Sequence, residues 1–179
     1  MSEQSPLSLG TEDIKKLLMR YAVPAIVAMT AASLYNMMDS IFIGHGVGAL
    51  GIAGLAVTFP FINLAAAFGS LVGVGASTLG SVKMGQKDLK SAEAVLGNVL
   101  LLNTVIGFLF MTVCLIFLDP ILYFFGASAD TLPYARDYMK VILYGNLITH
   151  IYMGLNEVMR ASGYPQRAMM ATLFAVLIN

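Results

Sequence analysis

One carboxylate, Asp39, lies well inside a long apolar run, in the stretch Leu34 to Gly44 that reads LYNMMDSIFIG. The other nine acids and all ten Lys and Arg residues fall at or near the ends of apolar runs, where water reaches them. A charge inside lipid costs a few kcal/mol, about 3 on insertion scales, so an ionisable group there is read first as a working group. At 100° per residue of helix, Tyr35, Asn36, Ala32, Ala28 and Ala25 fall within about 60° of Asp39, and Val27, Thr30, Leu34, Met37 and Ile41 take the other side. Three oxygen-bearing side chains on one small-residue face suit uptake and release of H⁺ or Na⁺, with Asp39 as the group that would hold a proton or a Na⁺. The bland alternative is an interfacial or structural acid. If Arg20 marks the inner edge of the bilayer, Asp39 stands about 28 Å above it, towards the outer boundary.

Other polar residues fall into patterns of their own. Pro24, fifteen residues before Asp39, removes a helical donor and is a candidate bend. Asn63, Ser70 and Ser77 recur every seven residues, and Gly69 with Gly73 makes a small-xxx-small pair that permits close helix packing. Pro60 interrupts the same run, as in the broken helices that line transporter sites. Asn146, His150, Met153 and Glu157 share one helical face with Thr149 and Asn156 beside them, so Asn63, Asn146 and His150 are candidate cavity-lining residues. His150 has a packing alternative to a proton-carrying role. A literal G-x-G-x-x-G at Gly46, Gly48 and Gly51 has neither the strand before it nor the acid after it that a dinucleotide site needs. No nucleophile with a base and no metal-ligand spacing is evident, so no enzyme and no cofactor is expected. The twelve methionines are adaptable filler or a binding wall.

The elements that must hold these groups are membrane helices. A chain of 179 residues with 58% apolar and 11% charged residues and a mean hydropathy of +0.80 is an all-α membrane protein rather than a soluble domain. Its zero net charge offers no bulk attraction for nucleic acid, and its single cysteine, Cys114, excludes an intrachain disulfide. Crossing the hydrocarbon takes about 20 residues, and four runs qualify: Leu17 to Gly44, Leu50 to Val82, Ala92 to Leu118 and Tyr138 to Asn156. A fifth, Ala168 to Asn179, is short, which reads as a truncated helix. Residues 1–13 form an N-terminal segment and residues 14–179 a partial transmembrane lobe, with no cleaved targeting segment expected. Eight Lys and Arg residues fall on the N-terminal side of the bilayer and two, Arg136 and Lys140, on the other, which places the N-terminus in the cytoplasm. Thr11 before Glu12 and Asp13 reads as a helix N-cap, Gly126 as the end of the third helix and its tail, and Gly163 with Pro165 as a break before the fifth span.

Several of these segments also carry a family likeness. Pro24, LYNMMDSIFIGHGVGALGIAGLA, SVKMGQKD, FFGAS, YARDYMKVILYG and RASGYP before a span ending in Asn179 together resemble the start of multidrug and toxic compound extrusion (MATE) transporters, from about Ile14 to Asn179. The resemblance implies a cation-coupled antiporter of about twelve helices in two six-helix lobes, which exports organic cations, drugs or other xenobiotics across the plasma membrane against H⁺ or Na⁺. This chain then corresponds to most of the first lobe and is expected to be inactive without the C-terminal half. Asp39 looks like the family's first-helix acid, Tyr35 and Pro24 like its neighbouring tyrosine and bend proline, and Asn179 like the fifth-helix asparagine that precedes a second acid. Two rival readings are a lipid-linked saccharide flippase of the same superfamily, which would need cavity cations that these spans lack, and a small four-helix transporter working as a dimer.

Overall fold

The computed structural model describes residues 12–178, which form six helices: α1 (Ile14–Gly46), α2 (Ala49–Gly85), α3 (Leu89–Ile116), α4 (Leu118–Phe124), α5 (Leu132–Ala161) and α6 (Pro165–Ile178). Three of them, α1, α2 and α3, are long and apolar enough to cross a membrane. The fourth expected span lies in α5, whose 30 residues reach about 45 Å and so have the length. Its polar stripe makes it less apolar than the other three.

Turn chemistry sets the boundaries, and two of them differ from expectation. Asp13 caps α1, accepting from the backbone N–H groups of Lys15 at 2.8 Å and Lys16 at 3.4 Å. The carboxylate of Asp13 thus does what Thr11 was expected to do, and Thr11 lies outside the described residues. The third span, expected over Ala92 to Leu118, stops close by at Ile116, and its tail towards Gly126 is the separate helix α4. Pro120 explains the break, because it cannot donate to the carbonyl of Ile116 and its ring crowds that oxygen. Pro60, by contrast, leaves α2 unbroken from Ala49 to Gly85. Membrane helices tolerate such prolines where neighbouring packing holds the chain, and the buried Phe61 beside it is anchored by ring contacts to Phe110 at 5.7 Å and Phe125 at 6.3 Å. Gly126 and Gly163 do end helices, at φ +101° and +93°.

At the centre, α5 packs against both α2 and α3, while α1 rests mainly on α6 and touches α2 more lightly. Backbones come very close where α2 crosses α5. A Cβ added at Gly73 would stand 2.9 Å from the Gly154 Cα, so this crossing needs glycine on both helices. Ser70 and Ser77, on the same helix, do not act as interhelical glue: their hydroxyls donate to the carbonyls of Ala66 at 2.9 Å and Val74 at 2.8 Å in their own helix. The main apolar core, with Phe61, Leu118, Leu122, Ala135, Met139 and Leu143, gathers α2, α4 and α5 near the turn that leads into α5. There Arg136 clamps α5 to α4 through a forked ion pair with Asp119, its Nε donating to Oδ1 at 2.7 Å.

Candidate functional site

The partly buried Asp39 carboxylate has a partner that the sequence did not announce. Tyr138 of α5 donates its hydroxyl to Asp39 Oδ2 at 3.1 Å, across 99 residues of sequence. Tyr35 stands one turn before Asp39 on the same face and is also partly buried. These three groups form a small oxygen-rich cluster where α1 meets α5. A carboxylate that accepts from a phenol is held in one orientation, and it can take up a proton or a small cation with local rearrangement of hydroxyl hydrogens alone.

The remaining predicted residues divide. Asn36 is exposed, and its carbonyl accepts from the Ser40 hydroxyl at 2.9 Å. Asn63 is exposed on α2. Pro24 is buried within an uninterrupted α1, where Pro24 and Ala28 are its buried residues. Asn179 lies outside the described residues. Asn146 and His150 are buried, at 4% and 1% exposure, but they are not part of the Asp39 cluster. Tyr138 precedes Asn146 by eight residues and His150 by twelve, about 12 and 18 Å along α5.

Around His150 a second polar group fills the seam between α2, α3 and α5. Gly69 and Gly107 leave room for the imidazole, whose ring atoms would lie 3.5 and 3.3 Å from a Cβ at either position. The ring also packs on Phe110, with centroids 5.9 Å apart. His150 Nδ1 meets the Asn146 carbonyl at 2.9 Å; a carbonyl only accepts, so the neutral ring carries its hydrogen there and presents Nε2 as an acceptor. Asn103 of α3 is fully buried one turn along, against Gly154. Sequence reasoning missed Asn103, although an asparagine in the middle of the run VLLLNTVIGF is a visible departure from an apolar pattern. Asn103 Nδ2 and Oδ1, Asn146 Nδ2 and His150 Nε2 are buried without a hydrogen-bond partner among the described residues.

A third network joins α5 to α6. Asn156 donates to the Ala168 carbonyl at 3.0 Å and accepts from Arg160 at 3.0 Å, and the Tyr152 hydroxyl donates to Thr172 Oγ1 at 2.7 Å. Charge is confined to the end nearest the turn between α5 and α6, where Glu157 stands 3.9 Å from Arg160. Among the described residues no three His, Cys, Asp or Glu side chains gather as a metal-binding group.

The helical bundle that holds these groups has counterparts among known proteins. The MatE family profile matches residues 24–179 of the chain. The chain belongs to the MatE family. Among curated relatives, this MatE chain is 27% identical over 179 residues to the multidrug export protein MepA of Staphylococcus haemolyticus, which covers all of the chain and 40% of the relative. Among solved structures it superposes with TM-score 0.84 on an outward-facing conformation of a multidrug resistance MATE family transporter of the MOP superfamily, at 27% identity over 92% of the chain and 36% of the other. A crystal structure of MATE in the bent conformation gives TM-score 0.86 at 27% identity, over 96% of the chain and 38% of the other. The chain thus spans about two fifths of the length of the relatives it matches. As a MatE member with three helices suited to spanning, it is a multi-pass membrane protein.

Proposed function

We propose that this chain supplies the first part of an exporter of organic cations and drugs, working in the plasma membrane with its N-terminus in the cytoplasm and coupling export to the inward movement of H⁺ or Na⁺. The observation that carries the proposal is the hydrogen bond from Tyr138 to Asp39, which sets the one carboxylate well inside an apolar run between two helices that belong to different parts of the bundle. Family membership supports drug export, since the matched relative and structure are described as multidrug proteins.

In this mechanism Asp39 alternates between a charged state, bonded to Tyr138, and a state neutralised by a proton or paired with Na⁺. Neutralising it weakens the tie between α1 and α5, which biases α1 between two arrangements. Coupling follows when ion and drug favour different arrangements, since a ligand shifts an equilibrium only by its difference in affinity for the two states. The carboxylate that Tyr138 bonds is that of Asp39. A proton needs no more than that. Na⁺ would need several further oxygens, for which Tyr35 and Tyr138 are the nearest candidates and Asn179 a further one.

Asp39→Asn, made in the protein as its gene encodes it, should abolish ion-driven efflux of a fluorescent organic cation from inverted or whole-cell preparations while the protein still inserts. Undiminished gradient-driven efflux by that variant would sink the reading.

A further inference from the structure

Outside the Asp39 cluster, a groove of about 380 Å³ opens between the end of α1, the start of α2 and the first turns of α5. Its walls come from Val47, Leu55 and Val141, and its polar lining is Tyr134, Asp137 and Tyr138. We propose that this groove is a separate outer binding station for a lipophilic organic cation, with Asp137 as its counter-charge and Tyr134 as its aromatic wall. The proposal rests on the export reading for its place in transport, and on the groove's own chemistry for its ligand.

Local structure makes the groove. A Cβ at Gly54 would stand 3.0 Å from both the Ala135 nitrogen and the Tyr134 Cβ, so glycine at that position lets the first turns of α5 lie directly on α2. Tyr134, Asp137, Tyr138 and Val141 then fall on one side of α5 by their i, i+3, i+4 and i+7 spacing. Lys140 stands about 110° round the helix from the middle of that side and does not line the groove. Arg136, next in sequence, is occupied by Asp119. Among the described residues Asp137 forms no ion pair, and it is the groove's sole charged group.

A volume of this size holds a small drug-like molecule, and aliphatic walls with a few convergent polar groups are the usual make-up of such sites. Asp137 forms no ion pair, although the Arg136 charge reaches it, and a carboxylate so placed beside two phenol rings selects for positive charge, through direct attraction and through the negative faces of the rings. An anion or a lipid phosphate meets repulsion from the same carboxylate. Tyr138 belongs to both places: it lines the groove and donates to Asp39. A cation in the groove is therefore one side chain away from the coupling acid, in a position to be received from it on the way out.

The test uses the purified protein as its gene encodes it, with tetraphenylphosphonium as the cation and triphenylphosphine oxide as a neutral counterpart of similar shape. Asp137→Asn should weaken tetraphenylphosphonium binding about fivefold, Tyr134→Leu about threefold, and Asp137→Glu should retain most of the affinity. Binding of the neutral compound should not change. Unaltered cation affinity in Asp137→Asn, or equal losses for the cation and the neutral compound, would overturn the proposal. The two readings fail separately. An Asp39→Asn variant that still exports removes the transport role and leaves this binding result standing, whereas unaltered cation affinity in Asp137→Asn beside a dead Asp39→Asn removes only the outer station.

Discussion

The side-chain amide of Asn103 on α3 lies against the backbone of Gly154 on α5, so closely that a single methyl group at Gly154 would overlap it. The same glycine is where α2 makes its nearest approach, through Gly73. One residue without a side chain thus sets the separation of three helices.

Gly154→Ala should therefore be strongly destabilising. Overpacking of this kind costs about 1–3 kcal/mol, and the new methyl group would press on Asn103 and Val99 of α3. Thermal unfolding of the detergent-purified protein should show a clearly lowered midpoint. Asn103→Ala in the same chain should recover part of the loss, because it clears the overlapping amide, while the contact with Val99 remains tight. Additive losses in the double variant would mean that Asn103 is not what the new methyl group meets.

Tyr138→Phe keeps the ring that lines the outer groove and removes only the hydroxyl given to Asp39. A hydrogen bond to a charged group is worth about 1.5–3 kcal/mol, so ion-driven efflux should fall by about tenfold or more. The affinity for tetraphenylphosphonium should stay near that of the parent. Efflux assays and binding isotherms on the same preparation check both halves, and a lost affinity with intact efflux would reverse the assigned roles.

The ion pair between Asp119 and Arg136 is more than a third exposed on both sides, so solvent screening leaves it only a small contribution to stability. Arg136→Lys should lose most of that, since an ammonium cannot reproduce the forked contact. A double-mutant cycle with Asp119→Asn and Arg136→Lys measures the coupling directly, and its value should shrink as salt is raised.

Acid should loosen the start of α3. Bonds from the Ser91 side chain and backbone N–H, aided by Lys83, hold the Asp88 carboxyl below its usual range. Its folded value lies below its unfolded one, so its support is complete above the ordinary carboxylate range and disappears as pH falls through the lowered value. Hydrogen exchange in the first turn of α3, corrected for intrinsic rates, should lose protection over that interval. In Asp88→Asn the dependence should be flat.

Long elements were legible in the sequence, and contacts between distant ones were not. Apolar runs located α1, α2 and α3 because lipid demands about 20 residues without charge, a requirement that leaves a plain trace. The stripe on α5 was equally plain, since Asn146 and His150 stand at helical spacing with Asn156 beside that face, and all three are buried. Hydropathy alone concealed the break after Ile116, because Phe117 and Leu118 continue the apolar pattern while Pro120 ends the helix from four positions on. The partner of Asp39 was hidden for another reason. Tyr138 stood in a recognised segment, yet nothing local to either residue records a contact made by packing α5 beside α1. Likewise the division of the α5 stripe into one seam facing α3 and one network facing α6 depends on where those helices lie, and period alone does not carry that.

The dependence of α1 on α6 has a consequence for biogenesis. Of the six described helices α1 is made first, yet its main neighbour begins about 120 residues after it ends. At ordinary elongation rates of 5–20 residues per second, α1 spends roughly ten seconds in the bilayer before its partner is made. Through that interval Asp39 and its small-residue face have no α6 beside them and, until α5 arrives, no Tyr138. The nascent helix is thus most exposed to quality-control proteases early in synthesis, and late-arriving segments rescue it.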